Sequence, residues 1–261
     1  TSFVLKLNGN LEFSWVKTVE VPLQLDGENE AQSLAVDQAG NVFVFGYFNG
    51  TVDFDSDTTN TALVTSSISG DTMAAYVLKL DSLGNYLWVK SIQGSCLPYS
   101  LILSDAIYLG GKFRGTVDFD PGFNTYHSVA PDTIENGFVA KLSLAGNFIW
   151  AKQIESNLEN RVNDIVEDSE GNFYAVGYFQ GTADFDPGSG VNNLTANGVS
   201  GDAFILKLNT QGNYVFAQSF GNTTYAVCHS IAVDNKNSIY AEGGFYGAVD
   251  FDPSTNIHTL N

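Results

Sequence analysis

Gly111-Lys112-Phe113-Arg114-Gly115-Thr116-Val117-Asp118-Phe119-Asp120-Pro121 is one of four versions of a single phrase. The others are GYFNGTVDFDS at 46–56, GYFQGTADFDP at 177–187 and GGFYGAVDFDP at 243–253. Each is preceded by a strand, a tight turn and a second strand, as in SLAVDQAGNVFVFGYF at 33–48. Each of the first three is followed by a variable insert and then by FVLKL-type and NYLWVKS-type strands. An internal repeat outranks other sequence signals, because each unit buries its apolar face only by stacking on its neighbours.

Read outward, the phrase organises the chain. Residues 2–7 and 12–19 form two strands across Asn8-Gly9-Asn10, and a polar loop covers 20–32. Strands 34–36 and 42–48 then meet over Asp37-Gln38-Ala39-Gly40-Asn41, where Gly supplies a left-handed position and Asp accepts backbone N–H bonds. An insert from about 50 to 72 leads to strands 76–80 and 86–92 over the turn 81–85. The next rounds place strands at 101–103, 107–113, 138–142 and 148–154, then at 162–166, 173–179, 204–208 and 214–220. A last round, 230–233 and 239–245, ends in its insert. The links 93–99, 155–161 and 221–229 read as loops, and no segment has a helical period.

Composition bounds the answer. The 261 residues are 44% hydrophobic, with 19 Phe, 12 Tyr and 26 Gly, which suits many short strands and tight turns. That length allows one or two domains, and the repeat favours one. No stretch reaches about 18 consecutive apolar residues, so no transmembrane helix is expected. No signal peptide or initiator Met is visible, so the chain reads as a processed product or an excised piece. Its formal net charge of −18 repels phosphate backbones and anionic membranes, which argues against nucleic acid as a partner and against membrane insertion. Acidity on this scale suits a soluble protein outside the cell.

The FVLKL-type strand begins at Phe3, Tyr76, Phe138 and Phe204, roughly every 60–75 residues. Four antiparallel strands at that period are the signature of a β-propeller blade. The pattern VD-x-x-G-N-hydrophobic-Y-V-x-G, followed by a Lys-bearing strand and a Gly-Asn turn, resembles the SBBP-type β-propeller repeats. The copies VDQAGNVFVFGYF and VEDSEGNFYAVGYF fit best, and SLILSDAIYLGGKF lacks the Gly-Asn turn. The resemblance implies a propeller fold and a secreted or surface location in bacteria, often Bacteroidetes, and no particular activity. The expected architecture is an all-β propeller of four blades, at about 33–93, 100–154, 162–220, and 230–261 plus 1–20. The last blade closes the ring by pairing the two ends of the chain, which removes exposed edges. The rival is a fragment of a propeller with six to eight blades.

Four Asp-Phe-Asp triplets supply the candidate site residues: Asp53 and Asp55, Asp118 and Asp120, Asp184 and Asp186, Asp250 and Asp252. Strand residues i and i+2 point to one side, so each pair presents two carboxylates together. Two carboxylates with loop carbonyls can hold Ca²⁺, and Asp53-Phe54-Asp55-Ser56-Asp57 looks most like such a loop. The competing reading uses the lysines. Seven of eleven basic residues fall in two repeat columns, Lys6, Lys79, Lys141, Lys207 and Lys17, Lys90, Lys152. Residues this scarce and regular are natural partners for equally regular carboxylates.

Trp15, Trp88 and Trp150 share one column, read as packing between blades rather than a sugar-binding ladder. Cys96 and Cys228 sit in equivalent links and bond only if those links converge. His127, His229 and His258 occupy unrelated positions, and no catalytic triad, metal-ligand or phosphate-loop motif is present. Asn49, Asn193 and Asn222 open N-glycosylation sequons; Asp57-Thr58-Thr59, Asp71-Thr72-Met73, Asp81-Ser82-Leu83 and Asp132-Thr133-Ile134 resemble O-glycosylation sites.

The functional expectation is a non-enzymatic binding or scaffold module, extracellular or on the outer cell surface. It engages a protein or carbohydrate through the face that carries the variable inserts. The alternatives are an extracellular carbohydrate-active enzyme, or a fragment of a larger propeller adhesin.

Overall fold

The structure, a computed structural model, describes residues 1–261 apart from 24, 56, 58, 59, 67–72, 198, 199, 223, 254 and 255. Ser56 of the calcium-like stretch, Thr223 of a sequon, and Thr58, Thr59, Asp71 and Thr72 of the O-glycosylation stretches lie outside the described residues. The described residues are all-β, with no helix.

The strands in chain order begin with β1 (Ser2–Leu7) and β2 (Phe13–Val19), an antiparallel pair. The first complete unit holds β3 (Gly27–Val36), β4 (Val42–Asp53), β6 (Ala74–Leu80) and the start of β7 (Tyr86–Leu103), with β5 (Leu63–Thr65) in its insert. The second continues on β7 with β8 (Ile107–Asp118), β10 (Asn136–Leu142) and β11 (Phe148–Gln153), with β9 (His127–Val129) in its insert. After β12 (Glu155–Ser156), the third unit holds β13 (Asn160–Glu167), β14 (Phe173–Phe179), β17 (Asp202–Leu208) and β18 (Tyr214–Phe220). Its insert carries β15 (Thr182–Asp184) and β16 (Asn193–Thr195). The chain ends with β19 (Tyr225–Val233), β20 (Ile239–Tyr246), β21 (Val249–Asp250) and β22 (Thr259–Leu260).

Strands follow one another across each unit in sequence order, as β13-β14-β17-β18 does, which makes a propeller-like repeat. The turns form as the residues require. Gly40 and Gly84 have φ of 82° and 83°, and the Asp37 and Asp81 carboxylates each accept two backbone N–H bonds across the turn. The glycine of the repeated phrase has a different cause. A Cβ at Gly46 would lie 2.2 Å from the Glu30 carbonyl oxygen and 2.5 Å from Tyr76 Oη, so only glycine lets strands this close carry an aromatic across them.

Each complete unit closes around three rings. Phe48, Phe54 and Tyr76 form one edge-to-face cluster, Phe113, Phe119 and Phe138 a second, and Phe179, Phe185 and Phe204 a third, with centroids 4.8–6.4 Å apart. The phrase supplies two rings and the FVLKL-type strand the third. Burial of such rings contributes about 1.5–3 kcal/mol each, with roughly 0.5–1.5 kcal/mol more from pair geometry. Separate apolar clusters then join β1–β2 to the first unit, the first unit to the second, and the second to the third.

Two expectations need correction. The link 93–99 is strand, because β7 runs without a break from the outer position of one unit to the first position of the next. Its residues pair with 111–118, and bulges at 93–95 and 98–100 absorb the change of direction and the proline. The two units therefore share one nine-stranded sheet. The pairing of 230–261 with 1–20 is not made among the described residues. β1 pairs only with β2, and β20 only with β19. β1–β2 packs on the first unit and β19–β20 on the third.

Candidate functional site

The Asp-Phe-Asp triplets sit where each second strand leaves its sheet. The middle residues Phe54, Phe119 and Phe185 are buried as expected. The first carboxylates are occupied by backbone. Asp118 Oδ1 accepts N–H bonds from Asp120 at 3.1 Å and Tyr126 at 2.8 Å; Asp184 Oδ1 accepts from Asp186 at 3.0 Å and Asn192 at 2.8 Å. Asp53 binds the N–H groups of Asp55 and Ala62 the same way, and Asp250 those of Asp252 and His258. In each copy one carboxylate oxygen thus staples a loop of eight or nine residues inside the insert. Asp55, Asp120 and Asp186 each accept the N–H two residues on, from Asp57, Gly122 and Gly188. Among the described residues, no group of three or more His, Cys, Asp or Glu is placed to hold a metal ion.

The lysines pair with different acids from those expected. Lys141 Nζ lies 3.1 Å from Asp105 Oδ2, and Lys207 Nζ 3.0 Å from Asp168 Oδ2, both acids belonging to the first turn of their units. Lys79, Lys141 and Lys207 also stand over the rings of Phe43, Tyr108 and Tyr174, at 4.5, 4.8 and 4.7 Å. A cation over an aromatic face gains about 0.5–2 kcal/mol. Burial opposes ionisation of Asp168, but hydrogen bonds from Lys207, Asn172 and the turn backbone outweigh it and hold the carboxyl below the usual range. Lys6 and Lys79 reach the next unit, donating to the carbonyls of Ser82 and Leu144. The tryptophans do likewise: a Cβ at Gly84, Gly146 or Gly212 would press on Trp15, Trp88 or Trp150 at 2.9–3.2 Å. Lys6, Lys79 and the tryptophans hold neighbouring units together.

The turns joining first to second and third to fourth strands emerge on one side, where Gly40 abuts Ser82 and Gly171 abuts Thr210. The links and inserts meet elsewhere, through paired backbones: Glu20 with Asp53, Gln93 with Asp118, and Glu155 with Asp184. The triplet thus fastens each insert to the link that enters its unit.

Between the inserts of the second and third units lies a groove of about 500 Å³. It is lined by Tyr126, His127 and Ser128 of the second insert, by Lys152, Gln153 and Glu155, and by Asp184, Asp186 and Gly188 of the third insert. The lining is mainly polar and mixes donors, acceptors and both charges. Tyr126 is partly exposed, stacks on Phe148 with centroids 4.7 Å apart, and donates its hydroxyl to the Ala151 carbonyl. His127 Nε2 lies 4.0 Å from Asp118 Oδ2. The structure thus brings Asp184 and Asp186 into one groove with side chains that repeat reasoning did not single out. Tyr126, His127 and Glu155 occupy positions whose side chains vary from copy to copy, so the repeat gave no signal for them.

A second polar array was also absent from the sequence reading. The bulge in each first strand carries Ser33, Ser100, Asp164 or Ser230. Asp164 accepts hydrogen bonds from Ser100 Oγ and Ser230 Oγ, both at 2.8 Å, and Ser33 Oγ accepts the Leu101 N–H. These bonds lace the first strands of neighbouring units together. Cys96 and Cys228 are unbonded; Cys96 is buried between the first two units and burial pushes its thiol pKa up.

No family model matches the chain. It is 31% identical over 124 residues to an uncharacterized WD repeat-containing protein of Acanthamoeba polyphaga mimivirus, a match covering 47% of this chain and 9% of that protein. The crystal structure of a protein of unknown function from Bacteroides caccae superposes with a TM-score of 0.44 at 11% identity, covering 99% of this chain and 72% of that one.

Proposed function

We propose that this propeller-like repeat protein is a non-enzymatic binding module, working outside the cell or on its outer surface. It engages a protein or a glycan through the insert-bearing side. The observation that carries this reading is the polar groove between the second and third inserts, lined by Tyr126, Gln153, Glu155 and Asp186. Variable loops on a repetitive scaffold are the usual seat of recognition. An exposed ring beside amide and carboxylate groups suits a sugar ring or a polar peptide. A propeller repeat of the SBBP kind belongs to the same proposal, and no catalytic step is assigned to it.

The test is a binding screen against cell-surface glycans and matrix proteins, followed by charge reversals on two sides. Glu155→Lys, in the groove, is expected to weaken binding at least about tenfold, the loss of one charge-assisted contact. Lys236→Glu, on an exposed short turn, leaves it unchanged. If Lys236→Glu abolishes binding while Glu155→Lys does nothing, the insert side is not the binding side.

A further inference from the structure

Tyr126 enters the groove between the second and third inserts with its polar end already used. Its hydroxyl donates to the Ala151 carbonyl at 3.2 Å, and its ring lies against Phe148 with centroids 4.7 Å apart. The residue is still 41% exposed. What it offers the groove is ring surface rather than a hydrogen bond, on a side chain that two contacts hold in place.

The acceptors beside it are also set in advance. Asp184 Oδ1 accepts the N–H groups of Asp186 and Asn192, and Asp186 Oδ1 that of Gly188. Among the described residues the second oxygen of each takes no hydrogen bond, and neither these acids nor Glu155 forms an ion pair. Gln153 is oriented in the same way, because Nε2 donates to the Val129 carbonyl at 3.1 Å and leaves the amide oxygen to the groove. Lys152 adds a donor. Groups held like this meet a ligand with little further loss of side-chain freedom.

Ring surface beside fixed acceptors and an ammonium matches the chemistry of a sugar. Its C–H face packs on an aromatic, and its hydroxyls donate to carboxylate and amide oxygens and accept from lysine. The groove of about 500 Å³ falls within the range of roughly 300–1,000 Å³ usual for small-ligand sites. Three carboxylates against one lysine, on a chain of net charge −18, repel an anionic sugar. A peptide fits the groove less well. The lining is mainly polar, whereas peptides anchor chiefly through apolar and aromatic side chains. The Val129 carbonyl, an acceptor that an added peptide strand would use, is already taken by Gln153.

We infer that the groove seats a neutral glycan, with Tyr126 against a sugar ring and Asp184, Asp186 and Gln153 accepting its hydroxyls. This rests on the reading above that the insert-bearing side is the binding side.

The test presents the full chain to a printed array of neutral oligosaccharides, sialylated and sulfated oligosaccharides, and peptides rich in Lys and Arg. Isothermal titration follows with the neutral oligosaccharide that binds best. Neutral spots are expected to bind and acidic ones to stay empty. Tyr126→Ala and Asp186→Asn are each expected to weaken binding about tenfold or more. Tyr126→Phe keeps the ring and is expected to recover binding to within about threefold of the wild type. Melting followed by circular dichroism confirms that each variant is folded. Asp186→Asn retains an oxygen for the Gly188 N–H, so it carries the test if Tyr126→Ala unfolds. An array with no neutral glycan bound overturns the inference. So does a preference for acidic glycans, or neutral binding that neither Tyr126→Ala nor Asp186→Asn weakens. Binding of basic peptides alone, weakened by Glu155→Lys, overturns the glycan and leaves the insert side as the binding side. Binding that Lys236→Glu abolishes and Glu155→Lys leaves intact overturns both.

Discussion

The complete units and the terminal half-units are built from the same columns of residues and differ in what those columns touch. Phe138 and Phe3 occupy one repeat position. The first is fully buried between rings of its own unit; the second is mostly in water. Lys207 and Lys6 also share a position, yet only Lys207 has both an acid and a ring beneath it. Burial and pairing in a repeat protein are thus properties of the stack, conferred on a residue by the next unit.

This contrast can be broken most forcefully at the aromatic column. Phe138→Ala is expected to lower the unfolding free energy by about 3–5 kcal/mol, the cost of deleting a buried ring. Phe3→Ala, measured at concentrations where the chain is monomeric, should cost under about 0.5 kcal/mol. Urea unfolding of the two variants reads both; equal losses would mean that β1 is covered after all.

The lysine column gives a smaller effect with a pH signature. Lys207→Met removes a hydrogen-bonded charge from Asp168, and the expected loss at neutral pH is about 1–3 kcal/mol. The Asp168 carboxyl is held below its ordinary value of 3.8 in the folded state. Its contribution is therefore present above that value and lost as pH falls through the depressed folded value. The gap between wild type and Lys207→Met should shrink in thermal melts taken below about pH 4. A gap that stays constant with pH would leave only the packing of the lysine stem as the cause.

The smallest expected change has the opposite sign. Asp202 is buried, with Oδ1 unpartnered among the described residues, while Oδ2 accepts the Asn197 N–H. Burial raises its pKa above 3.8, so the folded state holds this proton more tightly than the unfolded chain does. That stability is present at low pH and declines as pH rises from about 4 through the raised value. Asp202→Asn removes the buried charge and is expected to stabilise the protein by about 1 kcal/mol at pH 7, with the advantage fading in acid. Lower melting at pH 7 would show instead that Oδ1 is satisfied in solution.

Much of the local architecture was legible in the sequence. The four phrases set the strand order within a unit, and the Asp-x-x-Gly-Asn turns set the hairpins, because both follow from bonds made within a few residues. The buried Phe of the first three triplets and the Trp column between units were readable for the same reason, whereas Phe251 of the fourth triplet is 37% exposed. The carboxylates were harder. Asp53, Asp118, Asp184 and Asp250 were read as metal or lysine ligands because their spacing on a strand aims two acids together. Their hydrogen-bond partners lie within each insert, eight or nine residues on, with varied side chains at Ala62, Tyr126, Asn192 and His258. A backbone donor leaves no mark in a sequence.

By itself, then, the sequence determined the repeat, its strand order and turns, and an all-β chain, since these depend on period, glycine placement and the alternation of apolar residues. Only the tertiary structure decided that 93–99 continues as strand, that Tyr126, Glu155 and Asp186 share a groove, and that β1 and β20, among the described residues, do not pair with each other. The reason is physical. Periodicity reports which residues a unit contributes to an interface, whereas the presence of the opposing surface depends on the packing angle between units, a sum of many small contacts that no single column encodes.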